Sequence, residues 1–247
     1  MPAERTGGGD PERTVELLWA GTATPRTTRG PRPRLDLRAV TGAAVELADE
    51  DGITAVTMRA LAARLGLASP TALYTYVPSK AELVDLMVDA CFAGFALDAG
   101  GGVAERIRAI ADANRALYRR HPWLADVALE RPTLGPGQLR KYELELSALV
   151  GLGLPDHQTD LVLGFVIAVV RAYAGSAASA GSASEEAAWW AAAGPALARH
   201  ANPADYPLSQ RIGTASGEAQ GRAHDPELAY RFALERITAG VQDLLGD

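Results

Sequence analysis

The stretch Ile53–Leu83, ITAVTMRALAARLGLASPTALYTYVPSKAEL, decides the fold. Leu61, Leu65 and Leu67 gather on one apolar face, and Ala62 is small where a second helix must approach. Gly66 ends a helix of about two turns, because glycine accepts the left-handed conformation that closes a helix. A three-residue turn leads to Ser69-Pro70, and Pro70 falls in the first turn of the next helix, where a missing N–H does no harm. That second helix, 69–76, is very short, with Leu73 and Val77 four residues apart and facing inward. Thr57, Ser69 and Ser79 stand at three successive helix starts, each a hydroxyl able to cap backbone N–H groups. Two short helices joined by a glycine-containing turn form the helix-turn-helix pattern. Its second helix fits a major groove about 12 Å wide and reads base edges there.

Outward from this stretch, helical periodicity dominates. It predicts helices near 11–20, 37–51, 58–65, 79–97, 103–121, 123–131, 136–151, 156–180, 184–200 and 226–245, the second capped by Asp36. No segment alternates apolar and polar residues between turn signals, so the expected class is all-α. Residues 21–35 mix Thr, Arg, Gly and Pro without period and read as a linker. Residues 201–226, with Pro203, Pro207, Gly213, Gly217, Gly221 and Pro226, read as a long loop.

Composition narrows the class of protein. The 247 residues are 48% apolar and 22% charged, ordinary for a soluble chain, with a net charge of −6. The single Cys91 cannot form an internal disulfide, and residues 1–14 lack the apolar core of a secretory signal. The apolar run from Leu161 meets Arg171 after ten residues, too short for a bilayer. A cytoplasmic protein with no membrane segment is expected. Charge is uneven: residues 22–80 carry +3, whereas 81–247 carry −7. A polyanion contact near the N-terminus follows from that asymmetry.

The order Gly52, Thr57, Leu61-Ala62, Gly66, Ser69-Pro70-Thr71-Ala72-Leu73-Tyr74-Thr75-Tyr76-Val77, Ser79-Lys80 and Leu83 resembles the DNA-binding domain of the tetracycline-repressor (TetR) family. The core L-Y-x-Y-[FV]-x-x-K is specific for so short a string, and the resemblance covers residues 36–97. Further on, the string His121-Pro122-Trp123-Leu124 and the final helix with Phe232, Leu234 and Ile237 are similar to one subgroup. The resemblance implies an all-helical homodimer with an N-terminal helix-turn-helix domain of three helices (36–81), preceded by an extension (1–35). A larger C-terminal helical domain (82–247) would bind a small-molecule effector and dimerise. It implies a repressor that holds a palindromic double-stranded operator and is released by its effector, with no enzymatic activity, cofactor or metal.

Transferred to this chain, Pro70, Thr71 and Tyr74 match positions that face bases. Ser69, Thr75, Tyr76 and Lys80 match phosphate contacts, and Thr57 matches a residue lying on the DNA backbone. An alternative for Tyr74 is packing between the two domains. One departure matters: helix 69–76 contains no Arg, Lys, Asn or Gln, the strong bidentate base readers. Additional affinity is expected from Arg29, Arg32 and Arg34, spaced by glycine and proline like an arm that enters a minor groove. The first 33 residues are accordingly expected to be removable without loss of the fold, although Leu17, Leu18 and Trp19 would let 11–20 dock as a helix.

Downstream, Phe92, Phe95, Tyr118, Trp123, Phe165, Arg171, Tyr173 and Trp189 are candidates to line an effector cavity. Arg171 interrupts an apolar segment, where an unpaired charge is unfavourable; an ion pair or a ligand carboxylate would satisfy it. Helices 156–180 and 226–245 are the dimerisation candidates, the latter through Leu228, Phe232, Ile237, Val241, Leu244 and Leu245. Catalytic patterns are missing: there is no phosphate-loop string, and His121, His157, His200 and His224 are dispersed. An enzyme built from dispersed residues and an effector-independent helical scaffold remain as alternatives, and retention on duplex DNA separates them from a regulator.

Overall fold

A computed structural model describes residues 4–20, 35–179, 183–221 and 225–246. Among these the elements, in order, are ten α-helices and four 3₁₀ segments. The α-helices are α1 (Pro11–Ala20), α2 (Leu37–Asp51), α3 (Met58–Arg64), α4 (Lys80–Ala93), α5 (Val103–Arg120), α6 (Pro136–Val150), α7 (Asp156–Ser179), α8 (Ala183–His200), α9 (Pro207–Gln220) and α10 (Pro226–Leu245). The expected all-α class holds. Four 3₁₀ segments intervene: Ile53–Ala55, Pro70–Thr75, Pro122–Ala125 and Pro203–Asp205.

α2, α3 and the segment Pro70–Thr75 form a small unit around Val40, Ala44, Val56, Leu61, Leu73 and Val77, all fully buried. Asp36 caps α2 by accepting from the N–H of Ala39 at 2.8 Å, as the sequence predicts. α4 leaves this unit and runs into a second bundle, packing against α2, α6 and α1. Leu83, Val84, Met87 and Val88 bury its apolar sides, but Glu82, Asp85 and Asp89 are buried too. Backbone donors from two other segments satisfy these carboxylates. Asp10 N–H reaches Glu82 at 3.2 Å, Gly7 N–H reaches Asp85 at 2.9 Å, and Gln138 N–H reaches Asp89 at 2.8 Å. Burial still pushes the Asp85 and Asp89 carboxyls above their ordinary range.

The N-terminal residues correct one expectation. Residues 4–20 belong to the folded body: Glu4–Thr6 pairs with Ala128 through hydrogen bonds of 2.8 and 3.0 Å. The indole of Trp19 donates to the carbonyl of Leu134 at 3.0 Å. The same pairing explains why the helix predicted at 123–131 stops at Ala125: the backbone beyond it bonds to the N-terminal strap instead of to itself. The loop predicted at 201–226 is also corrected. α9 fills 207–220, with Pro207 at its first turn and Gly221 left-handed at its end (φ +65°); the prolines and Gly221 lie at helix boundaries, whereas Gly213 and Gly217 are carried inside the helix.

α7 is long and apolar enough to span a membrane by length and composition alone. Its Val162, Leu163, Val166 and Val170 are buried against a bundle in which it packs on α5, α6 and α10, which accounts for that side of it.

Candidate nucleic-acid interface and effector cavity

The helix-turn-helix is built by local hydrogen bonds. Thr57 Oγ1 accepts from Ala60 N–H at 3.1 Å and starts α3. At the end of α3, Leu67 N–H bonds to Ala62 O (2.9 Å) and Gly66 N–H to Ala63 O (3.1 Å), a paired closure that requires left-handed Gly66, φ +68°. Arg64 is held by Glu50 at 2.7 Å and Glu46 at 3.3 Å, clamping α3 to α2 and lowering the Glu50 pKa through the Arg64 hydrogen bond.

The recognition segment differs from an α-helix: Pro70–Thr75 is 3₁₀, capped by Ser69, whose Oγ accepts from Thr71 N–H at 3.2 Å. Leu73 and Val77 anchor it, and Tyr76 is half-buried against the core. Thr57, Ser69, Thr71 and Thr75 are exposed, and Tyr74 is 50% exposed, so it does not pack between domains. The hydroxyls are not equally available. Ser69 donates to Thr71 Oγ1 at 3.0 Å, and Thr75 donates to the Ala72 carbonyl at 2.7 Å. Within Ser69–Thr75, Thr71 and Tyr74 are therefore the residues whose hydroxyl protons remain to be given outward. Lys80 pairs with Glu4 of the strap at 2.6 Å. Exposed Arg59, on the first turn of α3, pairs with no carboxylate among the described residues; sequence reasoning counted its charge without assigning it a contact. Arg29, Arg32 and Arg34 lie outside the described residues.

The eight predicted effector contacts do not surround one cavity. Phe92 and Phe95 flank the buried ammonium of Lys141, which sits 5.4 and 4.7 Å from their ring centres. Lys141 is paired with Glu145 at 2.5 Å, and Asn114 donates to the same carboxylate at 2.7 Å. Burial lowers the Lys141 pKa, and Glu145 opposes that shift. Trp123 is buried, its indole donating to Asp49 of α2 at 2.8 Å, beside His121 Nδ1, also 2.8 Å from that carboxylate. This cluster joins the α2–α3 unit to the second bundle, next to a crevice of about 540 Å³ between α2, α4 and α5. Burial drives the Cys91 thiol on its wall up to about 12, leaving it unreactive. Arg171 donates to the Val127 carbonyl, and it pairs with no carboxylate among the described residues. Phe165 and Trp189 are 58% and 62% exposed and face away from the core.

Tyr118 and Tyr173 do share a cavity, of about 240 Å³, with Tyr230, Arg115, Arg119 and Val170. Burial drives the Tyr118 hydroxyl up to about 12. Tyr230 was missed because α10 reads from sequence as an apolar dimerisation stripe, and a tyrosine at its inner edge was the available signal; Arg115, on α5, carries no signal of its own in the sequence. In fact α10 has two apolar sides. Tyr230, Ile237 and Val241 are buried, whereas Leu228, Phe232 and Leu244 are exposed. α7 likewise exposes Leu161 and Phe165.

A helix-turn-helix joined through one helix to a larger cavity-bearing bundle defines a DNA-binding regulator of transcription. Residues 40–87 match the family model of bacterial regulatory proteins of the tetR family. Residues 97–245 match that of the tetracyclin repressor-like C-terminal domain. The chain belongs to the TetR family, whose members bind DNA operators as dimers and bind small molecules.

Among characterised proteins it is similar to the HTH-type transcriptional repressor DrrR1 of Streptomyces coeruleorubidus, with 35% identity over 98% of this chain and 89% of that protein. An HTH-type transcriptional regulator of Saccharopolyspora erythraea is 35% identical over 85% of this chain and 89% of its own length. Apo ActR from Streptomyces coelicolor shares the fold, with a TM-score of 0.71 at 22% identity, covering 87% of this chain and 99% of that one.

Proposed function

We propose that this protein is a ligand-responsive repressor that binds a palindromic operator as a homodimer and releases it when a small molecule occupies the second bundle. The observation that carries the reading is the exposed Thr71–Tyr74–Thr75 edge held by buried Leu73 and Val77 at one end of α4, while the rest of α4 packs into the cavity-bearing bundle. A displacement of α4 by ligand would therefore move the reading segment. The relatives support it: DrrR1 is named a repressor, and ActR has been crystallised with actinorhodin.

In this reading residues 36–81 form the DNA-binding unit, 82–247 the effector and dimerisation unit, and 1–35 an extension. Pro70, Thr71 and Tyr74 read bases. Thr57, Ser69, Thr75, Tyr76 and Lys80 contact phosphates, joined by Arg59, and Arg29, Arg32 and Arg34 add a minor-groove arm. The exposed sides of α7 and α10, with Leu161, Phe165, Leu228, Phe232 and Leu244, suit burial against a second copy; Gly164 and Ala168 let the helices approach closely. The protein works in the cytoplasm without a catalytic reaction or metal.

The test is a gel shift with the duplex upstream of its own coding sequence, over a salt series. Retention that weakens steeply with salt and is lost on adding an effector supports the reading. A protein that stays monomeric at micromolar concentration and ignores that duplex overturns it.

A further inference from the structure

The Tyr118–Tyr173–Tyr230 cavity, between α5, α7 and α10, carries more chemical information than its apolar walls suggest. Tyr230 is 5% exposed, and its hydroxyl is the buried side-chain polar atom left without a hydrogen-bond partner among the described residues. Buried hydroxyls are ordinarily satisfied, and one that is not marks a place where a partner belongs. The ring of Tyr230 is already fixed. Tyr173 meets it edge-on with centroids 5.9 Å apart, and the Arg115 guanidinium sits 4.8 Å from its centre. What is unmet is the hydroxyl alone, a donor without an acceptor; its oxygen has almost no accessible surface, so an acceptor in the cavity reaches it only with a small shift of the wall.

The charges around it select that acceptor. Arg115 and Arg119 both line the cavity, and Glu227 is the one carboxylate among its described lining residues. Burial and then Asp112, outside that lining, raise the Tyr230 pKa, opposed by the two arginines. Glu227 is bound to Arg115, which leaves Arg119 paired with no carboxylate among the described residues. A cationic ligand would meet two guanidinium groups and a proton donor. An anionic one would meet the positive field and accept from Tyr230. The apolar part of its lining, Pro122, Val170, Tyr173 and Ala174 together with the largely buried Tyr118 and Tyr230, favours a flat aromatic ring over a flexible alkyl chain. The volume of about 240 Å³ lies just below the range of drug-sized sites and admits a molecule of about two fused rings.

We propose that this cavity binds a planar aromatic anion, a ring system bearing a carboxylate or phenolate. Its ionised oxygen accepts from Tyr230 and pairs with Arg119. This rests on the regulator reading and names the ligand class for it. It also supplies a trigger. The Arg115–Glu227 pair ties α5 to the first turn of α10 at the cavity wall, and a bound anion competes with Glu227 for Arg115. Release of that tie frees the start of the helix that carries Phe232 and Leu244 on its exposed side.

The experiment is isothermal titration calorimetry on the full-length protein without DNA. 1-Hydroxy-2-naphthoate is the probe, with 1-naphthylmethylammonium and 2-methylnaphthalene as cationic and neutral counterparts of similar size. The acid should bind at least tenfold more tightly than either counterpart. Tyr230→Phe should weaken the acid about tenfold or more, the expected effect of losing a hydrogen bond to a charged group. The same change should leave the melting temperature of the unliganded protein unchanged or higher, because it removes only an unsatisfied hydroxyl. Arg119→Gln should weaken the acid without affecting the neutral compound.

Equal binding of acid and cation overturns the proposal, as does an unchanged affinity in Tyr230→Phe or a drop in its melting temperature. If the naphthoate fails to bind while the protein still holds its operator and other compounds release it, the ligand class is wrong and the regulator reading stands. If the naphthoate binds as described and no duplex is retained, the cavity assignment stands and the regulator reading falls.

Discussion

Replacing Asp49 by alanine should loosen the joint between the DNA-binding unit and the second bundle. In the native protein its carboxylate accepts from the Trp123 indole and lies against His121 Nδ1, each at 2.8 Å. Trp123 is 2% exposed, so the truncation removes the acceptor of a buried N–H. Stranding such a donor, together with losing a bond to a charged acceptor, costs about 2–3 kcal/mol; the upper end of the general range is discounted because the carboxylate side is partly solvated. For a chain of this size that corresponds to a fall in Tm of about 4–12 °C. Differential scanning calorimetry reads it directly. Asp49→Asn keeps one acceptor oxygen for the indole and should fall by about half as much. A double-mutant cycle with Trp123→Phe should return a coupling of at least about 1 kcal/mol. A melting temperature for Asp49→Ala within about one degree of the native value, or additive effects in the cycle, would refute the reasoning.

Other substitutions separate the remaining roles. Lys80→Ala should weaken binding to operator and random duplex alike and reduce the salt slope by about one unit, whereas Thr71→Ala should narrow the gap between them; equal losses for Thr71→Ala on both duplexes would remove it from base readout. Because residues 4–20 are stitched to α4, the arm is tested by changing Arg29, Arg32 and Arg34 together to serine. Affinity should fall about tenfold or more at physiological salt, most on A·T-flanked sites, with an unchanged melting temperature. Gly137→Ala should destabilise by about 2 kcal/mol or more, since its Cβ would come within 2.1 Å of the Asp89 carbonyl of α4; an unaltered urea midpoint argues against that close contact. Asp85 and Asp89 have folded-state pKa values raised by burial, so their stabilising contribution is complete below the ordinary aspartate value of about 3.9 and is lost as pH rises through the raised ones. Asp85→Asn should flatten that part of the stability profile, and a profile identical to the native one would exclude Asp85 as its source.

The reading unit was legible because its determinants are local. A hydroxyl caps a helix from three residues away, a glycine closes it, and Leu61, Leu73 and Val77 recur at helical spacing, so residues 57–80 specify their own geometry. Segment 201–226 was misread for a related reason: proline begins a helix as readily as it breaks one, and an interior glycine such as Gly213 or Gly217 costs a helix only about 1 kcal/mol, so composition does not say which. The effector contacts were less legible. Helical periodicity shows that Phe165 and Tyr173 lie on apolar parts of α7, but not which side a neighbouring helix covers.

By itself, then, the sequence determined the all-α class, the helix-turn-helix and its hydroxyl-rich, uncharged reading segment, all consequences of interactions spanning a few residues. The tertiary structure alone decided four other things. Glu4 pairs with Lys80, Asp49 binds Trp123, the acids of α4 are satisfied by the strap and by the start of α6, and Tyr230 is buried beside two arginines with its hydroxyl unmet. Each joins segments more than forty residues apart, and such partners are selected by how helices pack, a property of the whole folded chain that no local spacing encodes.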